Sequence, residues 1–163
     1  MRMARAAGVT PAVLGLLDGT RPALARGEDA DLEILDAALA IEHHAVAIYD
    51  AGLKRGLFPP GLRGYAVEFR GDHLGHRDTQ IAIAEERGRR PLAARSHYDL
   101  GSLEPGDAFV REALRIEVAA QEAYTALIGQ IGTRDYLLSA AFILVDEVRH
   151  MTVWRRVLGL KIY

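Results

Sequence analysis

Beyond residue 28, apolar positions recur every three or four residues, and no stretch keeps a two-residue alternation. That period predicts helices and argues against sheet. From Asp29 to about Lys54, Leu32, Leu35, Leu39, Glu42, Val46 and Tyr49 recur at threes and fours, and acids at 29 and 31 suit a helix start. "KRGLFPPG" then breaks the pattern with two prolines and two glycines. A second helix is expected from Leu62 to about Arg87, with Tyr65, Phe69, His73, His76 and Gln80 on one face. Its glycines at 64, 71 and 75 each lower helix propensity by up to ~1 kcal/mol relative to alanine, and their missing side chains suit close packing. Residues 88–106 are irregular, and a third helix is expected from Asp107 to about Ile131. After a break at Gly132-Thr133, a fourth runs from Thr133 to about Leu158.

Four helices of about 25 residues each span about 37 Å. Short links join the first two and the last two. The link between the pairs, about nineteen residues, is long for a bundle turn but fits a crossover running end to end. The expected fold is all-α, an antiparallel four-helix bundle with one long crossover over residues 29–158. Residues 1–28 are expected to form an N-terminal arm or a short helix. Their arginines and short apolar patch also suit a secretory signal, so the expected location is cytoplasmic, or exported if that signal is used.

Composition narrows the chemistry. A chain of 163 residues, half of them hydrophobic, suits one domain with a real core. With 22 acids against 20 bases, nothing steers it toward nucleic acid. No segment reaches the ~20 apolar residues of a membrane span. The absence of cysteine excludes disulfides, zinc-thiolate sites and thiol nucleophiles. Any metal site must draw on His, Asp and Glu, which favours iron, manganese or zinc.

The two halves repeat each other. "LAIEHHAVAIY" from Leu39 matches "LRIEVAAQEAY" from Leu114, pairing Glu42 with Glu117 and Tyr49 with Tyr124. In the partner helices, His73-x-x-His76 answers Glu147-x-x-His150, each doublet preceded by an aspartate, at 72 and 146. A spacing of three sets two side chains on one helical face. A step of seven, about two turns, keeps each tyrosine near the face of its own glutamate. Both glutamates sit among apolar neighbours, where an ionised carboxylate is costly unless paired or coordinated. A divalent metal bound by Glu42, His73, His76, Glu117, Glu147 and His150 meets that cost. Taken singly, each residue also fits an ordinary solvated or boundary position, and the repeat is what joins them.

Assembled in this way, the chain resembles the ferritin-like superfamily, and most of all the small bacterial ferritin-like domain proteins, over roughly residues 29–158. "DEVRHMTVW" is the strongest local match and "IEHHAVAIY" the next. The resemblance implies one Glu on the first and third helices and Glu-x-x-His on the second and fourth. His73 departs from it, standing where a bridging glutamate is usual. Three carboxylates and three histidines then replace four and two. A neutral histidine does not bridge two metals as a carboxylate does, so bridging passes to Glu117, with Glu147 or a solvent oxygen.

The resemblance implies a non-haem di-iron oxidoreductase acting on ferrous iron with dioxygen or peroxide, with manganese or zinc as other metals. Tyr49 and Tyr124 are the candidate catalytic residues, bonding a ligand carboxylate or carrying an electron, and both also suit core-edge positions. The alternatives are a mononuclear metal site, or a non-catalytic helical bundle acting by association, for example in stress response. A homodimer pairing apolar helix faces is expected. His43 and His44 are expected at solvent or a subunit contact, and His97 at the surface or in a structural role. Met151 is not a persuasive haem ligand.

Overall fold

A computed structural model describes residues 28–162. The arm or signal expected before residue 28 lies outside the described residues. Four long helices follow in order: α1 Glu28–Arg55, α2 Arg63–Glu86, α3 Asp107–Ile128 and α4 Arg134–Val157. A single turn, Pro60–Leu62, leads into α2. The expected helices are all present, and α3 stops about a turn early, at Ile128. α1 packs chiefly on α2 and α3 chiefly on α4, with α1 against α3 next and α2 against α4 more lightly.

Residues 88–106 form the crossover, and α1 is the rail it follows. Arg89 pairs with Asp36, His43 Nε2 donates to the Leu92 carbonyl (3.0 Å), and His44 Nε2 donates to the Asp99 carbonyl (2.7 Å). The Gly106 N–H then reaches the Leu57 carbonyl at 2.8 Å, just past the end of α1. Gly106 has φ +78, a conformation that favours glycine, and it sets the start of α3. The chain therefore returns the full length of the bundle before α3 begins, so α2 and α3 run in the same direction. His43 and His44 thus both hold this strap; His44 is buried beneath it, whereas His43 stays partly open to solvent. His44 also stacks on Tyr98, and its burial lowers its pKa and favours the neutral ring. His97 is exposed on the strap, as expected.

Among the described residues, two larger apolar clusters and a small third one of Leu32, Leu35 and Ala84 fill the bundle interior. Towards the C-terminal end of α1, Tyr49, Phe58, Phe69, Phe109 and Trp154 form an aromatic plug, against which Met151 packs. Gly52 makes this possible, because a Cβ there would lie 2.2 Å from the Phe109 ring and 2.5 Å from that of Phe58. Gly64, Gly71 and Gly75, expected to allow close packing, meet nothing within 4 Å and lie on the exposed side of α2. Towards the other end, Ile34, Ala37, Ala38, Leu127, Ala140 and Ile143 form a smaller, mostly aliphatic cluster with Tyr124. The polar residues of the repeat lie between the two larger clusters.

Candidate metal centre

α1 supplies Glu42, α2 His73 and His76, α3 Glu117, and α4 Glu147 and His150. All six converge between the two larger apolar clusters. Five are fully buried, and the His76 side chain is 11% exposed. Their donor atoms form two groups, Glu42–His73–His76–Glu147 and His73–Glu117–Glu147–His150. Within each group every donor atom lies within 4.8 Å of the others. An ion about 2.0–2.2 Å from nitrogen and oxygen ligands holds them about 3 to 4.4 Å apart, so each group needs little adjustment to close on a cation.

The unpaired atoms support the same fit. His76 Nδ1, His150 Nδ1, Glu117 Oε2 and both Glu147 oxygens are buried without a hydrogen-bond partner. Such atoms are costly in a dry interior unless something binds them. His76 Nδ1 lies 3.4 Å from Glu147, and His150 Nδ1 lies 3.4 Å from Glu117. A cation in each group would answer all five.

Glu147 and His73 belong to both groups, whereas Glu117 belongs to one. Glu147 is thus the carboxylate common to the two groups. His73 directs Nδ1 to Glu42 at 2.9 Å and Nε2 towards Glu117 at 3.4 Å, one nitrogen to each group. A neutral imidazole offers one lone pair and keeps one N–H. It can thus ligate on one side while donating to a carboxylate on the other, and the two positions are unequal.

Around the six, the contacts cross between the halves of the repeat. Tyr49 on α1 donates to Glu117 on α3, and Tyr124 on α3 donates to Glu42 on α1. Each tyrosine lies inward like the glutamate of its own helix, yet two turns along its phenol reaches the glutamate of the facing helix. The aspartates cross too, His76 Nε2 lying 3.3 Å from Asp146 and His150 Nε2 3.0 Å from Asp72. Each aspartate occupies Nε2 and leaves Nδ1 for the centre, the usual way a carboxylate fixes a ligand histidine. Arg149 joins the two aspartates, at 2.6 Å from Asp72 and 3.3 Å from Asp146. Outside the phenols, Trp154 Nε1 donates to Tyr49 at 2.7 Å and the Gln80 amide donates to Tyr124 at 2.6 Å. Residues 80 and 154 each stand four positions after the repeat's second histidine.

The sequence by itself gives the aspartates, Gln80 and Trp154 no orienting role, although it carries a signal for them: one aspartate before each doublet and, in the same alignment of halves, the shared offset of Gln80 and Trp154.

The charges hold one another. Burial raises the Glu42 pKa, but His73 and His76 outweigh it and bring it down to about 2. Glu117 is likewise lowered despite burial, by His73 and His150. Glu147 moves the other way, pushed well up by burial and by its two fellow carboxylates. Burial lowers the His76 pKa, but its contacts with Glu147 and Glu42 outweigh this and raise it to about 10. His73 is raised for the same reason, by Glu147 and Glu117. Burial, with Glu117 beside one and Glu42 beside the other, raises Tyr49 and Tyr124 well above an ordinary phenol, so both keep their protons. Without a cation, protons balance this centre.

Comparison with known proteins agrees with this architecture. The model of the family described as "Ferritin-like domain" matches residues 30–160, and the chain belongs to that family. A crystal structure of a conserved hypothetical protein from Mycobacterium tuberculosis superposes with a TM-score of 0.73 at 28% identity. The match covers 81% of this chain and 99% of that one. No curated protein matches the sequence.

Proposed function

We propose that this protein holds two metal ions, most suitably iron, and is a non-haem di-iron oxidoreductase that oxidises ferrous iron with dioxygen or peroxide. The observation that carries the reading is the pair of four-residue donor groups sharing Glu147 and His73, with five buried donor atoms left unpaired. Glu42 and His76 serve one position, and Glu117 and His150 the other. Mixed carboxylate and imidazole ligands suit iron, manganese or zinc, and only the first two offer the redox change. Two ferrous ions supply the two electrons that, with two protons, take dioxygen to peroxide or peroxide to water.

The chain's own part is to hold and orient. Tyr49 and Tyr124 stay protonated and fix one oxygen each of Glu117 and Glu42. Asp72 and Asp146 fix the imidazoles. The aromatic plug keeps water from the Glu117–His150 side. A homodimer belongs to the same reading, supported by Leu138, Phe142, Val145 and Val148, apolar yet exposed along α4. No helix among the described residues is long and apolar enough to cross a membrane.

Elemental analysis of protein purified without a chelating tag tests the proposal, repeated on Glu147→Ala and His76→Ala. Two irons per chain in the wild type, lost in both variants, with rapid ferrous oxidation in stopped flow, is the expected result. One zinc per chain would instead make the site mononuclear. No bound metal, with melting unchanged by added iron, would leave a helical bundle that works by association.

A further inference from the structure

The two ends of the centre are built alike but filled differently. Behind Tyr49 stands Trp154, within the aromatic plug, whose ring lies 5.7 Å from Phe58 and 5.3 Å from Phe69. Behind Tyr124 the same place in the repeat is Gln80, and beside it lies a cavity of about 30 Å³. A cavity takes one water from about 10–15 Å³ upward, so this one admits about two waters or a single diatomic molecule. Its wall runs from half-buried Tyr136 and Ser139 on α4 to the buried Gln80 and Tyr124.

The lining states what chemistry fits. Most of the wall is aliphatic, including Ile34, Leu127, Ala140 and Ile143. Asp31 is the one acid in the lining, and its carboxylate already accepts from the Gly132 and Thr133 N–H groups, at 2.9 and 2.8 Å. An ion would lose its hydration there without a counter-charge. Two buried polar atoms nevertheless have no partner, Gln80 Oε1 and the Tyr136 hydroxyl. The orientation of the Gln80 amide is settled by its neighbour. The Tyr124 hydroxyl has one proton, given to Glu42, so it must accept from the Gln80 NH₂, which leaves Oε1 unpartnered at the cavity wall.

We infer that this cavity binds the small uncharged oxidant, dioxygen or hydrogen peroxide, on the Glu42–His76 side of the centre. The inference rests on the oxidase reading above and gives it a direction: the Trp154 end is packed shut, while the Gln80 end has room. An occupant there lies beside Tyr124, one hydrogen bond from Glu42. Dioxygen matches the aliphatic wall, and peroxide also matches the open acceptor on Gln80.

Crystals under xenon pressure test the cavity itself. Xenon is expected in it in the wild type and absent from Ala140→Leu, which fills the space. The same variant, loaded with ferrous iron without air, should keep the wild-type metal content. Its single-turnover oxidation should slow by about tenfold or more with dioxygen, with peroxide or with both, and the two reagents tell which oxidant uses the cavity. If Ala140→Leu does not fold, Ser139→Leu at the cavity edge takes its place. Absence of xenon from the wild-type cavity, or wild-type oxidation rates with both oxidants in a filled variant, overturns the inference. Failure of the oxidase reading would show separately, as a wild-type protein that takes up no iron.

Discussion

The Tyr49 hydroxyl on α1 donates to Glu117 on α3, the glutamate of the opposite half of the chain. It also accepts from Trp154, so one phenol ties α1, α3 and α4 together at the centre. Tyr49→Phe removes both bonds at once. A hydrogen bond to a charged group contributes about 1.5–3 kcal/mol, and a loss of that order is expected in denaturant titration of the metal-free protein. Unchanged stability would show that the phenol does not hold the carboxylate.

Asp146→Asn should act on the far helix rather than its own. Its partner is His76 on α2, which it holds through Nε2. Loss of such a support lowers metal affinity by about 10–100-fold. Metal titration gives the affinity, and nitrogen NMR of the imidazoles shows which ring changes tautomer. A change at His150 with His76 unaffected would contradict the crossed arrangement.

His73→Glu should make the two positions alike. It supplies a second carboxylate shared between the groups, giving four carboxylates and two histidines. Metal-loaded protein is expected to show stronger magnetic coupling between two ions by EPR. The metal-free variant is expected to melt at lower temperature, because four buried carboxylates then face two imidazoles, and to be rescued by added metal. A metal-free variant as stable as the wild type would mean that His73 carries little of the charge balance.

The metal-free protein should be most stable between about pH 4.5 and 6.5, the ordinary values of the two groups concerned. Glu42 is lowered to about 2, so its stabilisation is present above the unfolded value and fades as pH falls through that range. His76 is raised to about 10, so its contribution is full below the unfolded value and is lost as pH rises towards 10. Raised Glu147 adds to that decline from its ordinary value of about 4.5 upward, which moves the maximum towards the acid side of the window. A bound cation replaces these protons, so the metal-loaded protein should lose the alkaline decline. Melting curves of both forms from pH 3 to about 10 check this, and parallel curves would count against it.

Phe142→Asp should give a monomer. Phe142 is 73% exposed at the middle of the apolar row on α4, and a charge there breaks an apolar contact between copies. Light scattering after size exclusion is the measurement. A wild-type protein that is already monomeric at high concentration would remove the dimer from the proposal.

The helix order and all six inward-facing residues were legible in the sequence because both depend on periodicity, and the repeat checked one half against the other. What the sequence left open depended on which helices face each other. The repeat pairs Glu117 with Glu42 and Glu147 with His73, and only the position of α4 makes Glu147 the carboxylate shared by both groups. Tyr49 and Glu42 share a face, yet the phenol's length carries it to the next helix. His43 and His44 look like a surface pair until the crossover is laid along α1. The glycines of α2 suggested contact, whereas Gly52, an unremarked residue near the end of α1, is where two aromatic rings need the space.

The crossed bonds have a consequence for the chain as a whole. Neither helical hairpin holds a finished half-site, since each borrows from the other the phenol that steadies its glutamate and the carboxylate that orients its histidine. Two copies of a single hairpin, set back to back, would supply every one of these exchanges. On that geometry the nineteen or so residues of the crossover act as a tether. They turn an encounter between two hairpins into an event within one chain, and so free each half to change alone, as Gln80 and Trp154 show.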